Sequence, residues 1–232
     1  MIPIKDTIRS RSFPLVTWAL IIVNVLVFFY ESNLSATGLQ HLIYTYGLVP
    51  ANVTLTNPIT WFPLVSHAFL HGSWLHLISN MWTLFIFGDN VEDRMGSGRF
   101  LTFYVVGGVA AGIIQMVLGG DPNMPSVGAS GAIAAILGAY FLYFPTAKVV
   151  TFIPVLLFVW FINIPAVIYL GFWFISQLFS GLSALALPAG ASAGGIAWWA
   201  HIGGFVFGLV LALVFTGRKP KTTYYRDEYY PW

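Results

Sequence analysis

The stretch Ser126-Val127-Gly128-Ala129-Ser130-Gly131, running on into Ala132–Phe144 (AIAAILGAYFLYF), decides how this chain is read. Gly-x-Ser-Gly opens an apolar helix that the sequence predicts to be of membrane length. A serine at that point has its hydroxyl at the positive end of a helix, beside backbone N–H groups with no intrahelical acceptor. Such groups can hold a developing oxyanion. Small residues also suit close packing of membrane helices, so the stretch alone leaves both readings open. The second residue that matters is His201, far along the chain.

Composition sets the class. The chain has 232 residues, of which 58% are hydrophobic and 8% charged. Apolar runs of bilayer-crossing length make it a polytopic, all-α membrane protein. A net charge of +2 does not suggest a nucleic-acid partner. With no cysteine there is no disulfide, thiol nucleophile or thiolate metal site. Six spans are predicted, at residues 13–30, 74–87, 100–118, 130–144, 165–182 and 197–215. The first follows Lys5, Arg9 and Arg11 and resembles a signal peptide, but no small-residue cleavage site follows, so it is read as a retained helix. Residues 1–232 are read as one domain with its core at 13–216 and a cytoplasmic aromatic tail at 217–232.

Orientation follows from basic residues. The N-terminal cluster, Arg94 with Arg99, Lys148, and Arg218 with Lys219 and Lys221 all fall on the cytoplasmic side if there are six crossings. The apolar run 149–164 would break that pattern as a seventh span. With Pro154, Asn163 and Pro165 it is read as interfacial or re-entrant. The long first connection, residues 31–73, carries Trp61, Phe62, Leu64, Phe69 and Leu70, which suit partial insertion into the membrane.

Parity brings the polar residues to one level. Ser130 starts the fourth span, His201 lies about one turn into the sixth, and His76 is near the same end of the second, with Asn80 one turn deeper. Polar groups inside a membrane are costly, so their convergence just below the outer surface points to chemistry. Ser130, Ala134 and Gly138 form one small-residue stripe; His201, Gly204 and Gly208 form another. Packed together with Gly128 and Gly131, these stripes bring the serine towards the imidazole.

Serine needs a base, and neutral imidazole supplies one near pH 7. Glu31 and Asp121 are expected in outer loops, and no carboxylate is expected in a span near His201. A Ser130–His201 dyad is therefore favoured over a triad, with packing or a backbone carbonyl orienting the histidine. The Ser130 N–H, His76 and Asn80 are the candidate oxyanion donors. No metal or cofactor is expected: in His67-x-x-x-His71, Ala68 stands where a zinc protease of HExxH type has its glutamate. His67 and His71 are read as structural. Glu92 and Arg94 are expected to anchor the end of the second span, and Asn24 and Gln115 to bond between helices. Trp173 and Phe174 are read either as a lateral gate or as lipid-facing.

The segments HGSWLHLISN (71–80), GDNVEDRMGSGRF (88–100), GASG (128–131) and AHIGGFVFG (200–208) together resemble the rhomboid family of intramembrane serine proteases. The resemblance covers about residues 60–215. It implies a six-helix core, Ser130 as nucleophile, His201 as base and His76 with Asn80 at the oxyanion. It also implies cleavage of transmembrane protein substrates within the lipid bilayer, near the outer face. Separately, a short chain without a transit-type leader is read as suiting a plasma membrane. Two departures stand out. Phe62-Pro63 occupies the place of a usual Trp-Arg, and Ala134 replaces an aromatic that stacks on the histidine. The alternative readings are a non-catalytic rhomboid-like protein that binds membrane clients, and a transporter, for which no internal repeat is seen.

Overall fold

The computed structural model describes residues 1–155, 158–186 and 196–215; the predicted tail at 217–232 lies outside them. In chain order the elements are β1 (Ile2–Asp6), α1 (Leu15–Ser32), α2 (Ala36–Tyr46), the single turn α3 (Pro63–Ser66), α4 (Trp74–Met95), α5 (Ser97–Leu118) and α6 (Ser130–Tyr143). Then come β2 (Lys148–Val155), β3 (Phe158–Pro165), α7 (Ala166–Leu185) and α8 (Trp198–Ala212). Among the described residues three helices, α1, α5 and α7, are long and apolar enough to cross a membrane. Helix α4 is as long as α5 but ends in a charged run, Asp89 to Arg94.

Helix α6 matches the predicted span 130–144 to within one residue but falls short of the expected membrane length. Its 14 residues rise about 21 Å, less than the ~30 Å hydrocarbon core of a bilayer. The reason is its place: ten of the fourteen residues are buried, so protein rather than lipid surrounds it. Helix α8 lies directly against it. A Cβ on Gly204 would overlap the Gly131 carbonyl, one on Gly208 the Ala135 carbonyl, and one on Gly138 the Phe205 carbonyl. Backbone therefore meets backbone along the whole contact, which only glycine permits. On the other side Gly107 of α5 faces Ala135, where a Cβ would lie 2.6 Å from the alanine methyl.

The all-α expectation is corrected by a three-stranded antiparallel sheet, ordered β1-β2-β3. The run 149–164 is most of a β hairpin that begins and ends beside itself, with Lys148 opposite Pro165. Its β-branched content (Val149, Val150, Thr151, Ile153, Ile162, Ile164) favours the pleated backbone over a helix. Pro154 is tolerated in the middle strand because β1 pairs only as far as Phe152.

The sheet ties the N-terminal segment to the end of the bundle opposite Ser130. Asp6 Oδ2 accepts the Tyr140 hydroxyl of α6 at 2.5 Å and the Asn90 amide of α4 at 2.9 Å. Burial pushes the Asp6 carboxyl up to about 6, with the charge of Asp89 adding to it against the Tyr140 bond. Glu92 is buried at the start of α1. Its two oxygens accept the N–H groups of Val16 (2.9 Å) and Thr17 (2.8 Å), the Thr17 hydroxyl (2.8 Å) and the Ser97 hydroxyl (2.6 Å). A carboxylate against unpaired first-turn N–H groups is favoured by the helix dipole as well as by the bonds themselves. The Arg94 guanidinium lies over the Tyr143 ring, 5.7 Å from its centre.

Candidate functional site

The site is built where the first connection meets the start of α6. Leu48 and Ser126 exchange backbone hydrogen bonds, 2.9 and 2.8 Å, and the Gly128 N–H donates to the His67 carbonyl at 2.9 Å. The His67 ring is held in turn, Nδ1 to the Pro63 carbonyl at 2.8 Å. Ser66 Oγ donates to the Tyr46 carbonyl at 2.7 Å. The connection is thus anchored by backbone carbonyls, and the missing Trp-Arg is bypassed. Phe62 is exposed, while Pro63 contributes its carbonyl. This stretch holds α2, α3 and short 3₁₀ turns rather than open loop.

Gly128 has φ +126°, in the region that favours glycine. A Cβ there would also lie 2.6 Å from His76 Nε2 and 3.6 Å from Asn80 Nδ2. The bend before Ser130 therefore passes hard against His76 and within ordinary contact range of Asn80. Ser130 is the first residue of α6, with first-turn N–H groups left free by helix geometry. His201 is in the first turn of α8.

His76, Asn80, Ser130 and His201 all line one cleft of about 400 Å³, with Ser73 and Val127 among their neighbours. The structure thus brings together four residues from three helices that span 125 positions of the chain, from His76 to His201. Gly131, next to Ser130, meets Gly204, and one turn further along the same contact Gly208 meets Ala135. Ser130 and His201 share the cleft without a hydrogen bond between their side chains among the described contacts. Catalytic hydrogen bonds are often long or unformed in the free protein and tighten around substrate.

Asn80 is buried, and its amide nitrogen meets His71 Nε2 at 3.1 Å. Burial, with His76 beside it, pushes the His71 imidazole down to about 4, so it is neutral and accepts that bond. His71 is therefore next to the site rather than only part of the loop. Glu31 needs a larger correction. It is not in a loop but in the last turn of α1, only 2% exposed, and both its oxygens face the His71 N–H at 3.1 and 3.3 Å. A buried carboxylate does lie in a helix near the site, but it holds the turn before α4 and does not touch His201.

The group on His201 is one the spacing argument missed. Its Nδ1 is 2.8 Å from the side-chain oxygen of Gln177 on α7. Trp173, one turn away on the same helix, has its ring centre 6.0 Å from the imidazole, and Trp198 approaches edge-on at 6.2 Å. The space left by Ala134 is not refilled from α6; Ala134 is wholly buried. Aromatic contact comes from α7 instead, so Trp173 faces the histidine. Gln177 carried a readable signal, because an amide in an apolar span is costly unless it has a partner. Gln115 bonds between helices as expected, accepting the Ala200 N–H at 3.1 Å. Asn24 instead donates to Leu20 of its own helix at 2.8 Å, while facing Tyr104 of α5.

Ser130 at a helix start, the His201 imidazole on the facing helix, and the Asn80 amide and His76 imidazole beside them thus share one cleft in a bundle with helices of membrane-crossing length. The model of the Rhomboid domain matches residues 58–218, more than half of the chain, and the chain belongs to the rhomboid family. It is 34% identical to the rhomboid protease GluP of Bacillus subtilis over 127 residues, 54% of this chain and 24% of that protein. It is 31% identical to the putative rhomboid protease YdcA of the same organism over 132 residues, 56% and 62%. With the chloroplastic rhomboid-like protein 11 of Arabidopsis thaliana it shares 33% over 115 residues, 49% and 37%. The match spans less than two thirds of the length of each of these relatives.

Proposed function

We propose that this protein is an intramembrane serine endopeptidase that cuts transmembrane protein substrates through a Ser130–His201 dyad. The observation that carries the reading is the shared cleft: nucleophile, base and two donors from α4, α6 and α8 line one opening at one end of the bundle. Two relatives named as proteases support it.

In this reading His201 Nε2 takes the Ser130 proton as Oγ attacks the scissile carbonyl, forming the C–O bond. The oxyanion is held by the Ser130 N–H, the Asn80 amide and His76. The imidazolium then gives its proton to the leaving amine as the C–N bond breaks. Water, activated by the same imidazole, releases the acyl group. His76 and the His71-held amide of Asn80 flank the bend at Gly128, where the carbonyl oxygen has to sit.

The membrane setting belongs to the same proposal. Helices α1, α4, α5, α6, α7 and α8 make six crossings of a plasma membrane as one domain, with both termini cytoplasmic and the cleft near the outer face. The exposed apolar side chains of Leu55, Ile59 and Phe62 rest in the interface. Cleavage of a model single-pass substrate in proteoliposomes tests the reading. Ser130→Ala should lose all cleavage while keeping its melting temperature; full cleavage by that variant rejects the dyad. A non-catalytic client binder is the second reading, favoured by the open Ser130–His201 pair. It requires wild type to hold the substrate intact in the same assay.

A further inference from the structure

Sequence reasoning leaves the orientation of His201 to packing or a backbone carbonyl, yet a base works only if the correct ring nitrogen is bare. In neutral imidazole one nitrogen carries the proton and the other accepts, and the partner of the first decides which. The partner here is the Gln177 side chain, only 8% exposed and 2.8 Å from Nδ1.

A side-chain amide presents either oxygen or nitrogen, so its sense has to come from its other contacts. Those contacts form a chain. Ser176 Oγ donates its single proton to the Trp173 carbonyl at 2.6 Å. That hydroxyl then has only lone pairs for its other neighbour, the Gln177 amide nitrogen at 3.1 Å. Nitrogen must face Ser176, so oxygen must face His201. An oxygen there accepts, which puts the proton on Nδ1 and leaves Nε2 free.

We propose that Gln177 is the positioning residue that holds His201 in the tautomer protonated at Nδ1, with Nε2 bare to receive the Ser130 proton; this rests on the protease reading above. The amide takes the place that a carboxylate fills in soluble serine hydrolases, with orientation but no negative charge. It suits a site near lipid, where a buried carboxylate would cost more than an amide. The chain of bonds starts at a backbone carbonyl of α7, so the helix itself sets the direction of the base.

The test combines kinetics with ¹⁵N NMR of histidine-labelled full-length protein in detergent, the His201 signals being assigned by their loss in His201→Ala. Wild type should show His201 protonated at Nδ1. Gln177→Met should lower kcat roughly 10- to 100-fold, less than the ~10⁴ cost of losing a triad carboxylate. KM should stay within about twofold, and the ring should become a mixture of tautomers. Gln177→Glu, which keeps an acceptor, should recover most of kcat. A wild-type proton on Nε2, or an unchanged kcat in a folded Gln177→Met, overturns the assignment. The wild-type spectrum decides even if Gln177→Met does not fold. Ser130→Ala runs beside it. If that variant cleaves, the protease reading falls; if it is inactive while Gln177→Met is fully active, only the role of Gln177 falls.

Discussion

Helix α6 buries ten of its fourteen residues, whereas α7 buries four of twenty. The first is locked by glycine contacts in which backbone touches backbone, and it is tied down at its far end by Tyr140 on Asp6. The second presents Ile168, Phe172, Ile175 and Phe179 outwards. It follows the hairpin directly and turns Trp173 and Gln177 to α8. Ser130 and His201 thus stand on the closely packed pair, α6 and α8, while Gln177, which bonds His201, stands on the less buried helix. Packing density teaches where precision is built into the backbone and where it depends on one hydrogen bond.

The contrast can be broken most forcefully at the glycine contact. Gly208→Leu drives a side chain into the Ala135 carbonyl of α6 and should cost about 3 kcal/mol or more, or prevent folding, read as melting temperature in detergent. The anchor at the far end of α6 gives a smaller effect with a defined sign. Because the folded Asp6 carboxyl titrates near 6 rather than near 3.8, the folded state holds its proton longer than the unfolded chain does. Its contribution is complete below about pH 4 and is lost as pH rises through about 6, a fall of at most about 3 kcal/mol. Asp6→Asn should flatten that slope in melts between pH 4 and 7. An unchanged slope would show that another group titrates there. The smallest effect sharpens the other half of the contrast. A Cβ on Gly171 of α7 meets nothing within 4 Å, so Gly171→Ala should leave the melting temperature unchanged or raise stability by up to about 1 kcal/mol. A clear loss would mean that α7 packs more tightly than its exposure indicates.

These particular residues also show what could be read beforehand. Ser130, His201, His76 and Asn80 were legible because helix parity converts spacing into depth, and because Gly204 and Gly208 repeat every four residues along one face. Gln177 was legible only as a costly amide in need of a partner; that the partner is His201 depends on how α7 rotates, and no period in α7 records that. Glu31 was misread because helix α1 runs to Ser32, beyond the point where its apolar run ends. The hairpin was not legible as strands because apolarity does not distinguish strand from helix, and Pro154 and Pro165 pointed to an interfacial or re-entrant segment; its β-branched residues were the signal for strands. The bounds of α6 were legible, but that it need not match a bilayer was not, because that follows from its burial among other helices.

The most direct test of the Ser130–His201 dyad is labelling of the detergent-solubilised protein with a fluorophosphonate probe, wild type beside Ser130→Ala and His201→Ala. Labelling of wild type alone is the predicted result. Equal labelling of Ser130→Ala, or full labelling without His201, would contradict the dyad at its nucleophile or at its base.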